Sequence, residues 1–211
     1  YEIAENIVFT AKDMEDFEEF ELELIRIISI QSPVSQEEFM KMNEHQLVET
    51  VYQKAKEAYN RKVELMANMT YPVIANVYQN ESNSYENIII PVTDGSKSTQ
   101  ILANLKDSYE AKGKNISKLL ERNITLGVID NEWKEHLREM DDLRQSVRGA
   151  QYEQKDPLLI YKLESYELFK QMVSKVNKEI ISFLMRANLP QNQGVEQTNN
   201  EKIQQRSQPQ L

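Results

Sequence analysis

From Ile116 onward, apolar residues return at a helical period, through Leu119, Leu120, Leu126, Ile129, Trp133, Leu137 and Met140 to Val147. The same period resumes at Leu159 and runs through Leu163, Tyr166, Phe169, Val173, Val176, Ile180 and Phe183. This spacing puts one apolar stripe on each of two helices. Gly149 and the residues up to Asp156-Pro157 separate them, and Pro157 suits a first helical position, where its missing N–H costs nothing. Two long helices joined by about ten residues, each with a stripe to hide, pair antiparallel as a hairpin. Trp133 is the largest side chain on the first stripe, and antiparallel pairing predicts it as a buried anchor packed near Val173 or Val176.

The chain ahead of this hairpin reads as shorter pieces. In residues 1–31, Phe17, Phe20, Leu24, Ile27 and Ile28 form one face of an amphipathic helix, which Pro33 ends. Ser35 with Glu38 is a capping box for a short helix, and Asn43 with Gln46 repeats that logic for a longer one. The longer helix carries Leu47, Val51, Ala55, Tyr59, Val63 and Met66, and is expected to stop near Asn68, before Pro72 removes a backbone donor. From Tyr71 to about Ala103 the period changes. Short apolar runs at 73–78, 88–92 and 101–102 predict a small sheet, with Asp94-Gly95 as a tight turn and Pro91 on an edge strand. Beyond Pro190 the chain is mostly Gln, Asn and Ser, too poor in large apolar residues to offset the entropy of ordering, and is expected as a disordered tail over 189–211. The fold class is therefore mainly α: a long antiparallel helical hairpin and a smaller helical region, with a small β-hairpin or sheet inserted between them.

Composition agrees and excludes several functions. Only 5 Gly and 6 Pro among 211 residues leave few breakers for an all-β fold. The absence of Cys removes disulfides and thiolate metal sites and fits a reducing, cytoplasmic setting. A net charge of -9 argues against nucleic-acid binding, which needs clustered basic residues on a phosphate-tracking surface. No phosphate-cradling G-x-x-x-x-G-K-[ST] spacing occurs, and Gly113-Lys114 reads as a simple loop. There is no nucleophile elbow. His136 has Glu132 four residues before it and Glu139 three after, but with 2 His in the chain the ligand set is incomplete. The preferred reading is a hydrogen-bonded His near the helix surface rather than a metal ligand. Neither a catalytic residue nor a resident cofactor or metal is expected. The chain opens at Tyr1 rather than Met, as a piece of something longer would.

One loop stands out. Residues 146–154 place Tyr152 between the amides of Gln151 and Gln154 at the hairpin apex, flanked by Arg144, Arg148 and Lys155. An aromatic there can either present its amphipathic face to a binding partner or fold back onto its own helices, and residue pattern alone leaves both open.

The order of four blocks narrows the choice. Asp130 to Leu137 (D-N-E-W-K-E-H-L), Met140 to Gln145 (M-D-D-L-R-Q), Tyr152 to Pro157 (Y-E-Q-K-D-P) and Tyr161 to Ser165 (Y-K-L-E-S) follow one another with separations that closely resemble the SecA family of preprotein translocation ATPases. Tyr59-Asn60-Arg61-Lys62 resembles the end of that family's helical wing domain, while 71–103 departs from shorter family versions as an insertion would. The resemblance implies a wing remainder over 1–68, a β-rich insertion over 69–103, and a two-helix finger of the helical scaffold domain over 104–188. It implies further that the finger tip enters the SecY channel of SecYEG, that Tyr152 contacts the translocating, unfolded preprotein with Gln151, Arg144, Arg148 and Lys155 flanking it, and that the finger restrains the motor domains of the parent chain. ATP and Mg would belong to those motor domains, and the location implied is cytoplasmic, peripheral at the inner face of the plasma membrane. The tip spelling Gly149-Ala150-Gln151-Tyr152-Glu153 departs from the commoner L-R-G-Y-A. The rival expectation is an autonomous helical adaptor whose hairpin binds another protein; a metal site at His136 is a third.

Overall fold

The computed structural model describes residues 1–81, 85–147, 156–190 and 196–197. Helix α1 (Glu2–Met14) is followed by α2 (Phe17–Glu23), α3 (Gln36–Lys41) and the long α4 (Glu44–Glu81). Strands β1 (Asn87–Thr93) and β2 (Ser98–Asn104) lead through a short α5 (Leu105–Glu110) to α6 (Asn115–Ser146) and α7 (Pro157–Arg186), and β3 is Glu196–Gln197. The helical hairpin and the small antiparallel sheet expected from the sequence are both present.

The amphipathic segment before Pro33 is two helices rather than one. Glu15 turns left-handed at φ 52° and the Asp16 carboxylate accepts the Glu19 N–H at 3.0 Å, capping α2. α2 then widens into one π turn over Leu24–Ile28 and stops at Ser29, φ 53°, ahead of the proline. At α3 the capping box is formed, with the Ser35 hydroxyl accepting the Glu38 N–H while the Glu38 carboxylate accepts the Ser35 N–H at 2.9 Å. At α4 the box is not formed; the Asn43 side chain instead accepts from His45 N–H at 2.9 Å.

The expected end of α4 near Asn68, and a strand at 73–78, are both overturned: the helix runs on through Pro72 to Glu81. An interior proline costs about 3 kcal/mol in a helix. The turns beyond it bury Ile74 and Val77, and Tyr78 stacks on Tyr109 with centroids 4.2 Å apart. Each such side chain contributes roughly 1.5 to 3 kcal/mol when taken from water, so packing outweighs the proline.

The strand order is β2-β1-β3, with Ile90 opposite Ile101 and Pro91 opposite Gln100. β1 is thus central, not the edge that Pro91 suggested. Thr93 exchanges backbone hydrogen bonds with Asn188, at 3.0 and 2.7 Å, so odd-numbered residues of β1 turn their backbone groups away from β2. Pro91 shares that parity and removes no donor from the β1–β2 ladder. The turn itself is as expected: the Asp94 carboxylate accepts the N–H groups of Ser96 at 2.8 Å and Lys97 at 2.6 Å, and Gly95 takes φ +94°. The tail expected as disordered from residue 189 starts with Leu189 packed on the core, and Glu196–Gln197 pairs with Ile88 and Ile89; residues 191–195 and 198–211 lie outside those described.

Two apolar cores share α4 as a strut. One gathers Ile7, Val8, Phe20, Leu24, Phe39, Leu47 and Val51 from α1 to α4. The other joins Ile74, the inner face of β1 and β2, and Ile116, Leu120 and Ile124 of α6 to Phe183 and Leu184 at the end of α7. Gly113, at φ +75°, lets α6 begin against α4: a Cβ there would meet Ala67 O and Thr70 Oγ1 at 3.0 Å. The Gly113-Lys114 pair is a close-packing device rather than a plain loop.

Candidate interaction surface: the outer face of the hairpin

α6 has 32 residues and so reaches about 48 Å, well beyond the core that holds its first turns. Its orientation is fixed at the base. Ile116, Leu120 and Ile124 are buried in the second core, and continuing that four-residue step brings Val128, Glu132, His136 and Met140 onto the α7 side. Facing them, Tyr161, Ser165, Leu168, Met172, Val176, Glu179 and Phe183 of α7 are buried or half-buried at steps of three or four.

The seam is therefore not the stripe that the sequence suggested. Its middle is polar. Glu132 is largely covered and accepts from Lys175 across the seam at 2.7 Å, and that hydrogen bond raises the Lys175 pKa above its ordinary value. His136 is only 6% exposed and its Nδ1 is buried without a hydrogen-bond partner among the described residues, which replaces the expected hydrogen-bonded His at the helix surface. Trp133, expected as a buried anchor near Val173 or Val176, is 46% exposed instead. It sits one residue past the seam row, so its indole covers the rim of the seam, 5.6 Å from the His136 ring.

The large apolar residues of the predicted stripes are displaced to one side. Leu126, Ile129, Trp133 and Leu137 of α6 are exposed, as are Leu159, Leu163, Tyr166, Phe169 and Val173 of α7. In an antiparallel pair, residues that follow the seam row by one position on each helix, such as Trp133 after Glu132 and Phe169 after Leu168, fall on the same side of the pair. The rings of Trp133 and Phe169 both lie against His136, at 5.6 and 6.0 Å, as that geometry requires. The hairpin is thus a projecting ribbon with one apolar face, of a kind that soluble monomers rarely leave open to water. Elsewhere on its surface α6 carries ion pairs such as Lys134 with Asp130 and Arg138 with Glu135.

Of the residues assigned to the hairpin tip, Arg144 is exposed in the last turn of α6. Arg148, Gln151, Tyr152 and Lys155 lie outside the described residues. Among the described residues no three His, Cys, Asp or Glu side chains converge as a metal set, and no helix is long and apolar enough to cross a membrane.

A second contact went unforeseen. The Tyr59 hydroxyl donates to Glu121 Oε1 at 2.7 Å, tying α4 to α6 where the two cores meet, and burial, followed by that hydrogen bond and the Glu121 charge, pushes its pKa well up.

A family profile described as the SecA Wing and Scaffold domain matches residues 1–188. The chain belongs to the SecA family. Proteins named protein translocase subunit SecA match it closely: that of Christiangramia forsetii is 49% identical over 190 residues, or 90% of this chain. The Flavobacterium psychrophilum protein is 48% identical over 92% of the chain, and the Parabacteroides distasonis protein 49% identical over 83%. The chain spans 17% of the length of the first two of these SecA relatives and 16% of the third. The matched region is the wing and scaffold part of SecA, and the projecting hairpin falls inside it.

Proposed function

We propose that the chain is the noncatalytic wing-and-finger part of a SecA protein-translocation motor. Residues 1–68 are the wing remainder, 69–103 an insertion and 104–188 the two-helix finger, with α4 a strut shared across the first boundary. In this reading the apolar face of α6 and α7 docks against the rest of the full-length protein, and the finger tip meets the SecYEG channel and the unfolded preprotein through Tyr152, flanked by Arg144, Arg148, Gln151 and Lys155. The finger restrains the ATPase motor until a preprotein arrives, and ATP and Mg are held by that motor rather than by this chain. The whole works in the cytoplasm, peripherally at the inner face of the plasma membrane.

The observation that carries the proposal is the one-sided apolar ribbon on a chain of the SecA family. A hairpin that needed only to fold would turn Trp133, Leu137, Leu163 and Tyr166 inward, whereas one built to dock and transmit force keeps them for a partner surface. A substrate of varying sequence cannot be read by fixed hydrogen bonds, and a Tyr that contacts side chains through area suits that task.

The test is made in the full-length protein. Tyr152→Ala should impair preprotein transport strongly while Tyr152→Phe retains much of it, and normal transport by the Ala variant would remove the tip assignment. In the chain alone, millimolar ATP should raise the melting temperature no further than an equal concentration of inorganic phosphate does, because a nucleotide site in the native state would add its own increment.

A further inference from the structure

Far from the hairpin tip, two clefts adjoin where the β1–β2 turn meets α4 and the end of α7. One, of 630 Å³, is lined by Arg61, Lys62, Asp94 and Arg186, with Ser29 and Asn188 beside them. The other, of 550 Å³, shares Asp94 and Arg186 and adds Lys97, Lys178 and Glu179. Lys175 also lines the second cleft but is neutralised by Glu132. That leaves Arg61, Lys62, Lys97, Lys178 and Arg186 against Asp94 and Glu179, a local positive excess on a chain of net charge -9.

Both carboxylates are already engaged. The Asp94 side chain is 4% exposed and accepts from two backbone N–H groups, with Arg186 Nη2 at 3.5 Å. Burial alone would raise its pKa, but those hydrogen bonds and Arg186 outweigh it and hold the carboxyl below its ordinary value. Glu179 lies 3.6 Å from Lys97. Lys62 is different. It is half-buried, its Nζ donates to the Met185 carbonyl at the end of α7, and no carboxylate among the described residues lies within 4.0 Å of it. Burial pulls its pKa down with no neighbouring charge to oppose the shift. Arg61, one residue away and exposed, bonds its own helix at the Glu57 carbonyl, 3.4 Å, and no other group among the described residues.

We propose that the Arg61–Lys62–Arg186 cleft binds a phosphate group, tying α4 to the end of α7 and to the sheet turn. A phosphate matches the donors present: planar guanidinium forks at the rim and an ammonium at the wall, each able to give a charge-assisted hydrogen bond. It also supplies the counter-charge that the half-buried ammonium lacks. The cleft is open and roomy enough to admit the group either as a free ion or as the exposed part of a lipid headgroup, and the recognising chemistry is the same.

The 211-residue chain is titrated with sodium phosphate at ionic strength held constant with sodium chloride, following the melting temperature. In a second arm it is floated with vesicles of phosphatidylcholine containing phosphatidylglycerol. Phosphate should give a saturable rise in melting temperature that chloride does not, and Arg61→Gln or Lys62→Met should each weaken it by about tenfold, the scale of one lost charge-assisted contact. Arg61→Gln removes an exposed side chain and should fold normally, and for Lys62→Met the quantity read is the phosphate-induced increment, so loss of the Met185 contact does not mimic the effect. Vesicle binding that either variant abolishes, without a free-phosphate effect, assigns the group to a lipid headgroup; a chain at -9 is otherwise repelled by such a surface. No response in either arm, or a response unchanged in both variants, overturns the proposal.

Discussion

His136→Leu should stabilise the protein. The imidazole is 6% exposed, and its Nδ1 is buried in the α6–α7 seam with no hydrogen-bond partner among the described residues. A buried polar atom left without a partner costs about 1 to 3 kcal/mol, and leucine fills nearly the same space with no polar atom to desolvate. Against this stands the loss of two aromatic contacts, Trp133 at 5.6 Å and Phe169 at 6.0 Å, each worth about 0.5 to 1.5 kcal/mol at best geometry. Trp133 and Phe169 are both nearly half exposed, so the lower end applies to both contacts. The net is a gain of about 1 kcal/mol, or roughly 2 to 4 °C in melting temperature for a chain of this length.

The assay is urea denaturation followed by hydrogen exchange resolved to α6 and α7. Exchange matters because the hairpin projects beyond the cores and can open locally before the rest unfolds. Slower exchange confined to the neighbourhood of residues 128–143 and 165–176, with His136→Gln giving no such gain, would match the reasoning. A loss of more than about 1 kcal/mol in His136→Leu would refute it, because it would mean that the imidazole makes a polar contact that the seam geometry does not contain.

The Tyr59–Glu121 bond predicts a pH dependence. Tyr59 holds its proton more tightly folded than unfolded, so its contribution is intact below the unfolded value of about 10 and is lost as pH rises beyond it. Tyr59→Phe should flatten alkaline unfolding monitored by circular dichroism, and should cost about 1 to 2 kcal/mol at neutral pH by leaving Glu121 short of a donor. Gly113→Ala should cost about 2 kcal/mol or more in thermal unfolding, since φ +75° and a 3.0 Å approach to backbone oppose any side chain there. Trp133→Ala should cost less than about 1 kcal/mol in the same assay, far below the 3 to 5 expected of a core tryptophan.

The sequence displayed the hairpin but not its rotation, and the reason is physical. A period of three and four identifies a stripe wherever large apolar residues recur, and Leu126, Ile129, Trp133 and Leu137 recur clearly. Which row of a helix meets its neighbour is decided elsewhere, by Ile116, Leu120 and Ile124 locked into the sheet-bearing core at the base. Extending that row would have found Glu132 and His136 in the seam, and the opposed Lys175 is the signal that such a row can be polar yet paired. The same lesson holds at Pro72: a local rule ends the helix, and the burial of Ile74 and Val77 by distant strands continues it. Local signals without a long-range competitor, such as the Ser35 box, the Asp94-Gly95 turn and Pro157 at the start of α7, came through unaltered. For the candidate surface the consequence runs in the opposite direction. The apolar periodicity that a reader takes for a core is real, and in this hairpin it marks the face that the chain by itself leaves uncovered. In the proposed reading, Trp133 and its neighbours keep their exposed area for a partner surface.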